Sequence, residues 1–308
     1  MSALVRMILV TFISGLASML AWADPAGTEE DPLRVMLIPA DGGTSDGTLS
    51  DFQPLFDGLT HITGLHFDIR TGQSYAAVVE GLCSGVTDIA WLGPVSFETA
   101  HQKGCAELLA VEVSNGASTY YAGLFSRRDS GIESLEDFPG HSLALGSIHS
   151  ASSFAYPMAM LIEAGIDPLE ELSDIRITGS HSNSLMALDS GHVDTAGASF
   201  VSFERALNSG AIEAANIRIV AKSAPIPNPP LAMHPSLADE RKAQLRDALA
   251  RIHMVDGINP AMIRGYGGKR VDSYDTDMTS SEFIEMLSGL KEIDDAFRGE
   301  VLSKSSGN

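Results

Sequence analysis

From residue 33 onward, short apolar runs of strand length alternate with longer segments whose apolar residues recur at helical spacing. That alternation is the strongest constraint on the fold. Strand–helix–strand order lays successive strands side by side in a largely parallel sheet, with helices on its faces. Residues 33–39 (LRVMLIP) read as a buried strand, 41–48 (DGGTSDGT) as a loop, and 51–62 as a helix with Phe52, Leu55, Phe56 and Leu59 on one face. A strand at 65–70, a helix at 75–83 capped by Ser74, a strand at 89–92, a helix at 94–103 and a strand at 108–113 complete a first block. A second block repeats the grammar, with strands at 120–126, 141–145, 175–178, 195–198 and 217–221 and helices at 150–164, 182–190 and 200–209. The prolines of 225–230 (PIPNPP) force an extended connection. Helices follow at 239–251 and 281–297, and the polar tail from Lys304 reads as frayed. The class is α/β, and 308 residues suffice for about two domains.

The amino terminus reads as an address. A single positive residue, Arg6, precedes the apolar run 7–20 and the small-residue site Ala21-Trp22-Ala23. This is the pattern of a secretory signal peptide spanning 1–23, with the exported chain starting at Asp24. The alternative, an uncleaved anchor, meets the difficulty that the run falls short of the ~20 residues of an easy span. Acids outnumber bases 40 to 20, for a formal net charge of −20. No nucleic-acid partner is expected of such a chain, because neutralising phosphates takes a basic face.

Six stretches, taken in their order, carry a resemblance. They are Tyr75-Ala76-Ala77-Val78, residues 86–94 (VTDIAWLGP), 127–132 (RRDSGI), Ser150-Ala151-Ser152-Ser153, Gly191-His192-Val193-Asp194 and Pro225-Ile226-Pro227-Asn228. In this pattern the chain resembles the periplasmic solute-binding proteins for phosphate, phosphite and phosphonates, the binding components of ABC importers. The resemblance implies a two-lobed clamshell with mixed, mainly parallel sheets and a ligand between the lobes. Carried onto this chain, the first lobe is 24–119 plus 222–308 and the second is 120–221. It implies a periplasmic protein that is not an enzyme and needs no cofactor or metal.

The same resemblance nominates a site. Ser150, Ala151 and Ser152 stand before a helix whose unpaired N–H groups and positive dipole end suit an oxyanion. The ordinary reading of serine there is an N-cap. Similar proteins carry Ser-Thr-Ser, so Ala151 lacks one hydroxyl but keeps its N–H. His181 lies between a strand end and a helix, where the family has a histidine; it donates one hydrogen bond when neutral and adds charge when protonated. Otherwise it is a surface loop residue. Tyr75 takes the place of a ligand-reaching tyrosine, and is otherwise a core aromatic. Phe97 falls where the family often has a second tyrosine, which removes a donor and dries the pocket. Thr44 and Ser45, in the loop after the first strand, offer further donors, while the aspartates of that loop are expected to face solvent. Asp174 and His149 are possible supports. Members that accept aminoalkyl phosphonates carry an acid where this chain has Val201, and Glu204 lies a turn further on. A ligand without an amine arm is therefore expected.

Enzyme motifs are missing: there is no G-x-S-x-G, no P-loop and no H-E-x-x-H. A Ser152–His181 nucleophile pair and a metal-import role are both weaker readings. A closer rival keeps the fold and makes the chain a sensor that reports an oxyanion such as arsenite to a membrane histidine kinase. Cys83 and Cys105 bear on it. An oxidising compartment and an even count favour a disulfide on the side of the first lobe away from the cleft, whereas a free thiol would capture trivalent arsenic.

Overall fold

The computed structural model describes residues 27–41 and 45–307. The signal-peptide segment 1–23 and Thr44 lie outside the described residues. The chain runs β1 (Leu33–Leu37), α1 (Ser45–Thr63), β2 (Phe67–Thr71), α2 (Tyr75–Cys83), β3 (Ile89–Trp91), α3 (Pro94–Gln102) and β4 (Glu107–Val113). It then forms β5 (Thr119–Tyr120), β6 (Ala122–Arg127), β7 (Ser142–Leu145), a π turn (Ala151–Ala155) leading into α4 (Tyr156–Glu163), α5 (Pro168–Glu171) and β8 (Asp174–Ile177). After α6 (His181–Asp189), β9 (Thr195–Ser199), α7 (Phe200–Asn208) and β10 (Ile217–Lys222) come β11 (Ile226–Pro227) and β12 (Pro230–Met233). The last elements are α8 (Asp239–Arg251), β13 (Ser273–Asp275), α9 (Ser280–Glu285) and α10 (Asp295–Ser306).

These strands build a six-stranded sheet in the order β13-β4-β12-β3-β1-β2 and a five-stranded sheet in the order β10-β6-β9-β7-β8. Each is parallel over three strands, β3-β1-β2 and β9-β7-β8, and antiparallel elsewhere. The antiparallel share exceeds what strand–helix alternation suggests. β12 enters straight from the second crossover and slots between β3 and β4 against their direction. The two crossovers themselves pair as a short ribbon, with Tyr120 opposite Ile226.

The two Val-x-Asp and Val-Asp motifs have matching structural jobs. Asp88 precedes β3 and its carboxylate accepts the backbone N–H of Arg34, 2.8 Å away on neighbouring β1. Asp194 precedes β9 and accepts the backbone N–H of Ser142, 3.0 Å away on neighbouring β7. Each carboxylate pins the register of a parallel pair at a point where the ladder begins and an N–H would otherwise be unpaired.

Three expectations need correction. α1 begins at Ser45, so the loop after β1 is shorter than residues 41–48. The single helix expected at 281–297 is broken into α9, a 3₁₀ turn (Ser288–Leu290) and α10. Leu287, Leu290 and Ile293 are all buried at a three-residue spacing that suits a tighter turn, and the Asp294 carboxylate restarts the helix by accepting the N–H of Phe297. The tail from Lys304 is held rather than frayed. Lys304 Nζ donates to the carbonyls of Leu169 and Leu172, and Ser305 Oγ accepts the N–H of Ile177 on β8. The span 222–308 is therefore not confined to the first lobe, because its last helix packs on the second sheet.

Cys83, the last residue of α2, is disulfide-bonded to Cys105, which stands just before β4. Both lie at the ends of their elements away from Tyr75, the first residue of α2.

Candidate functional site

The carboxyl ends of the parallel strands of both sheets face each other across the crossovers, which is where ligands sit in open α/β sheets. Each lobe repeats one construction there. Ser74 caps α2 by accepting the N–H of Ala77 at 3.1 Å, and Tyr75 follows as the first helical residue. Ser180 caps α6 by accepting the N–H of Asn183 at 3.2 Å, and His181 follows as the first helical residue. A serine cap fixes the entry angle of the helix, and an aromatic at the next position is thereby aimed past the helix start.

Tyr75, Ser150, Ser152 and His181 line a single cavity between the lobes, together with Trp91, Gly93, Pro94, Tyr120 and Tyr266. Its free volume is about 10 Å³, on the order of what one ordered water requires. The lobes are thus closed on each other. Four helix starts converge on this point: α2, α3, the π turn leading into α4, and α6. Among the described residues, no lysine, arginine or carboxylate lines it. Any attraction for an anion must come from N–H groups, hydroxyls and helix dipoles.

Serine 150 does act as the expected cap, accepting the N–H of Ser153 at 3.1 Å. Its side chain also meets the Tyr75 hydroxyl from the other lobe, which counters part of the rise that burial causes in the Tyr75 pKa. The turn it opens is a π turn, closed by the Ala155 N–H donating to the Ser150 carbonyl at 3.1 Å. Such a turn is wider than an α turn and recurs at functional sites. Ser152 Oγ accepts a hydrogen bond from the Tyr120 hydroxyl at 3.0 Å. Burial raises the pKa of both Tyr75 and Tyr120, so both phenols remain protonated donors.

His181 is 1% exposed, and burial lowers its pKa to about 3. Its Nδ1 accepts the backbone N–H of Ser199 at 3.0 Å. A backbone N–H can only donate, so Nδ1 carries no proton and Nε2 does. The imidazole is therefore a neutral, fixed donor, and the added charge considered for it is not available in the described state. The backbone N–H of His181 donates to the carbonyl of Ala40 on the first lobe, at 3.2 Å.

Several nominated residues lie elsewhere. Phe97 is fully buried away from the cavity, edge-on to Phe283 and stacked on His101. α3 turns that face toward α9, so the position that the resemblance nominated is a core position in this chain. Ala151 is buried in the π turn and is not among the cavity-lining residues. Asp174 pairs with Arg176 at the edge of the second sheet. His149 contributes its carbonyl to Ser96 Oγ at 2.9 Å, and its ring does not line the cavity.

The expectation that Asp41 faces solvent is overturned. Asp41 is 7% exposed, accepts from Ser202 Oγ and lies 3.4 Å from Arg205, both on α7 of the other lobe. Arg205 also pairs with Asp51 at 2.7 Å. Asp41 turns inward because a cation from the opposite lobe meets the carboxylate, which no local pattern announces. Burial still raises the Asp41 pKa, with Ser202 and Arg205 working against that rise.

Three cavity residues with hydrogen-bonding side chains escaped the sequence reading: Trp91, Tyr120 and Tyr266. Trp91 lies inside the 86–94 motif, and its buried Nε1–H has no hydrogen-bond partner among the described residues. An unpaired buried donor costs about 1–3 kcal/mol, which a ligand oxygen would relieve. Tyr266 Oη lies 2.7 Å from Ser199 Oγ and 2.8 Å from Ser202 Oγ, across the cleft. Its only local signal is the glycine-rich setting Gly265-Tyr266-Gly267-Gly268. Gly267 has φ +69°, and a Cβ there would come within 2.4 Å of Val201 on α7, so the loop approaches the second lobe too closely for any side chain.

Comparison with known proteins gives a consistent picture. The family described as "ABC transporter, phosphonate, periplasmic substrate-binding protein" matches residues 43–278. The phosphate-import protein PhnD of Mycolicibacterium smegmatis is 28% identical over 233 residues, covering 72% of each chain. The phosphonates-binding periplasmic protein of Escherichia coli is 21% identical over 199 residues, 63% of this chain and 59% of that one. Among solved structures, a binding component of a Pseudomonas aeruginosa ABC phosphonate transporter superimposes with a TM-score of 0.74 at 21% identity over 90% of both chains. Prochlorococcus marinus PhnD1, solved in complex with methylphosphonate, gives 0.73 at 15% identity, covering 85% of this chain and 97% of that one. These two show the two-lobed periplasmic binding-protein fold.

Proposed function

We propose, from the premise that the chain belongs to the family of periplasmic substrate-binding proteins of phosphonate ABC transporters, that it captures a small oxyanion between its lobes and presents it to an ABC permease. One observation carries the reading. Hydroxyl and N–H donors on helix starts from both lobes (Tyr75, Ser150, Ser152 and the fixed Nε2–H of His181) converge on one closed cavity that no charged side chain among the described residues lines. Such a site binds an anion through dipoles that are set before the ligand arrives. It also explains how a chain with a formal charge of −20 holds an anion, since net charge acts at long range and the closed site acts locally. Export through the 1–23 signal peptide and a periplasmic location belong to the same proposal.

The candidate ligands are phosphate, phosphite, a simple phosphonate and an arsenic oxyanion. Among the described residues, an ammonium arm meets no carboxylate in the lining of the cavity: Glu204 is exposed and paired with Lys269 at 2.7 Å, Val201 stands where the resemblance implies an acid, Asp41 is engaged by Ser202 and Arg205, and Glu112 lies beyond the Tyr266 ring. The sensor reading, with a membrane histidine kinase as partner, would use this same site. Its link to trivalent arsenic through a free thiol loses support, because both sulfurs are taken up in the disulfide. Calorimetry at one pH with phosphate, phosphite, methylphosphonate, arsenate, arsenite and 2-aminoethylphosphonate tests the proposal. Heat and a compaction in solution scattering are expected for at least one arm-free oxyanion. Silence toward all of them sinks the reading, and tight binding of the aminoethyl compound sinks the argument about arms.

A further inference from the structure

A second cavity, of about 230 Å³, lies next to the first. Tyr120 and Tyr266 line both. Their rings meet edge to face with centroids 5.6 Å apart, and they are 7% and 4% exposed. The partition between the cavities is thus a pair of side chains, one from each of two well-separated segments, rather than backbone. The far cavity is bounded by Glu112, Lys222, Val201 and Lys269, and opens between the lobes.

Tyr266 is held in the partition from three directions. Its backbone N–H donates to the Glu112 carboxylate at 3.2 Å, its hydroxyl sits between Ser199 and Ser202, and its ring lies 5.7 Å from that of Trp91. Gly267 and the Lys269–Glu204 ion pair bring the same loop against α7. A ring fixed on several sides is a wall that a ligand cannot push aside at low cost.

We infer that Tyr266 is a specificity-determining residue that sets the length of ligand admitted. With the ring in place, an oxyanion seated at the helix starts has no room on this side for a substituent longer than a methyl group, because the near cavity is already closed down to about 10 Å³ and Tyr266 bars the way to the far one. With the ring removed, the two cavities merge and the far one receives a longer arm. This inference rests on the oxyanion-binding reading and adds to it a limit on substituent size.

The test is the ratio of Kd values for n-propylphosphonate and methylphosphonate, measured by calorimetry on the full exported chain. Wild type is expected to favour methylphosphonate by on the order of tenfold or more, the discrimination a shaped pocket exerts on a methylene. Tyr266→Ala is expected to move that ratio by at least about tenfold toward the propyl compound. Tyr266→Phe keeps the ring and loses the hydroxyl, so it retains the wild-type ratio even where its affinity for both ligands falls. Tyr266→Leu, which keeps apolar bulk, gives an intermediate ratio and serves where the alanine variant does not fold. Equal weakening of both ligands in the alanine and leucine variants overturns the inference, as does a wild type that binds the propyl compound as tightly as the methyl one. A wild type that binds no oxyanion at all removes the proposed function first, and this inference with it.

Discussion

Replacing His181 by Asn isolates the energetic consequence of burying a neutral imidazole. The Asn carbonyl can accept the Ser199 N–H in place of Nδ1, and it does not titrate. In the folded protein the His181 pKa is lowered to about 3, and in the unfolded chain it returns to about 6.5. Between those values the unfolded state binds more protons, so stability falls as pH falls. The contribution is fully present above about pH 6.5 and is lost progressively below it. At about pH 5 the unfolded imidazole is about 1.5 units below its pKa, and the folded one is still neutral. The loss is then about 2 kcal/mol, and it depends on the unfolded value more than on the folded one. Glu112 works in the opposite sense: burial raises its pKa to about 7, so its contribution grows as pH falls over the same window. The comparison of wild type with His181→Asn cancels that term. Urea unfolding of both proteins without ligand, at about pH 7.5 and about pH 5, is the assay. Wild type should lose about 2 kcal/mol more than the variant on acidification. Equal losses would show that His181 is not buried as a neutral donor, and the tautomer argument for the site would go with it.

Ser152→Ala should weaken oxyanion binding by roughly tenfold or more and, by leaving the Tyr120 hydroxyl unpaired, lower stability by about 1–3 kcal/mol; unchanged affinity by calorimetry takes Ser152 out of the site. Glu112→Gln should be more stable than wild type at about pH 8, by up to about 3 kcal/mol, with the gain vanishing toward pH 4.5. A carboxyl whose pKa is raised to about 7 costs stability as pH rises through that value, and equal denaturation midpoints at about pH 8 would count against its burial. Replacing Cys83 and Cys105 by Ser should cost about 3 kcal/mol for a closed loop of this length; two alkylatable thiols in the unreduced exported protein would show that the bond does not form. Arg205→Ala removes a half-buried ion pair between the lobes worth about 1 kcal/mol, which should shift the population toward the open form and weaken oxyanion affinity roughly fivefold. Solution scattering and affinity identical to wild type would show that the pair does not contribute to closure.

Local rules made much of the framework legible. Ser74 and Ser180 cap helices because a serine hydroxyl reaches the N–H three residues on whatever the rest of the chain does. The alternation of apolar runs placed most strands within a residue or two, since an apolar run of strand length has few other ways to be buried. Tyr75, Ser150, Ser152 and His181 were nominated by the family resemblance, since by local rules each is equally a core aromatic, a cap or a loop residue. Each stands at or beside the start of a helix, and helix starts at the carboxyl ends of parallel strands point at one place. What tertiary structure alone decided involves pairs far apart in the chain. Asp41 turns inward because Arg205 and Ser202 arrive from another lobe, about 160 residues away. Phe97 leaves the site because α9 brings Phe283 to its ring. The helix expected at 281–297 breaks because Leu287, Leu290 and Ile293 must all reach the core and Asp294 can restart the helix afterward on the second sheet. Tyr266 joins the site through two serines more than sixty residues away, with only flanking glycines as a local sign. A periodicity argument sees which face of an element is apolar. It does not see what the opposite lobe presents to that face, and in a protein whose site is the gap between lobes, that partner surface decides which side chains meet the ligand.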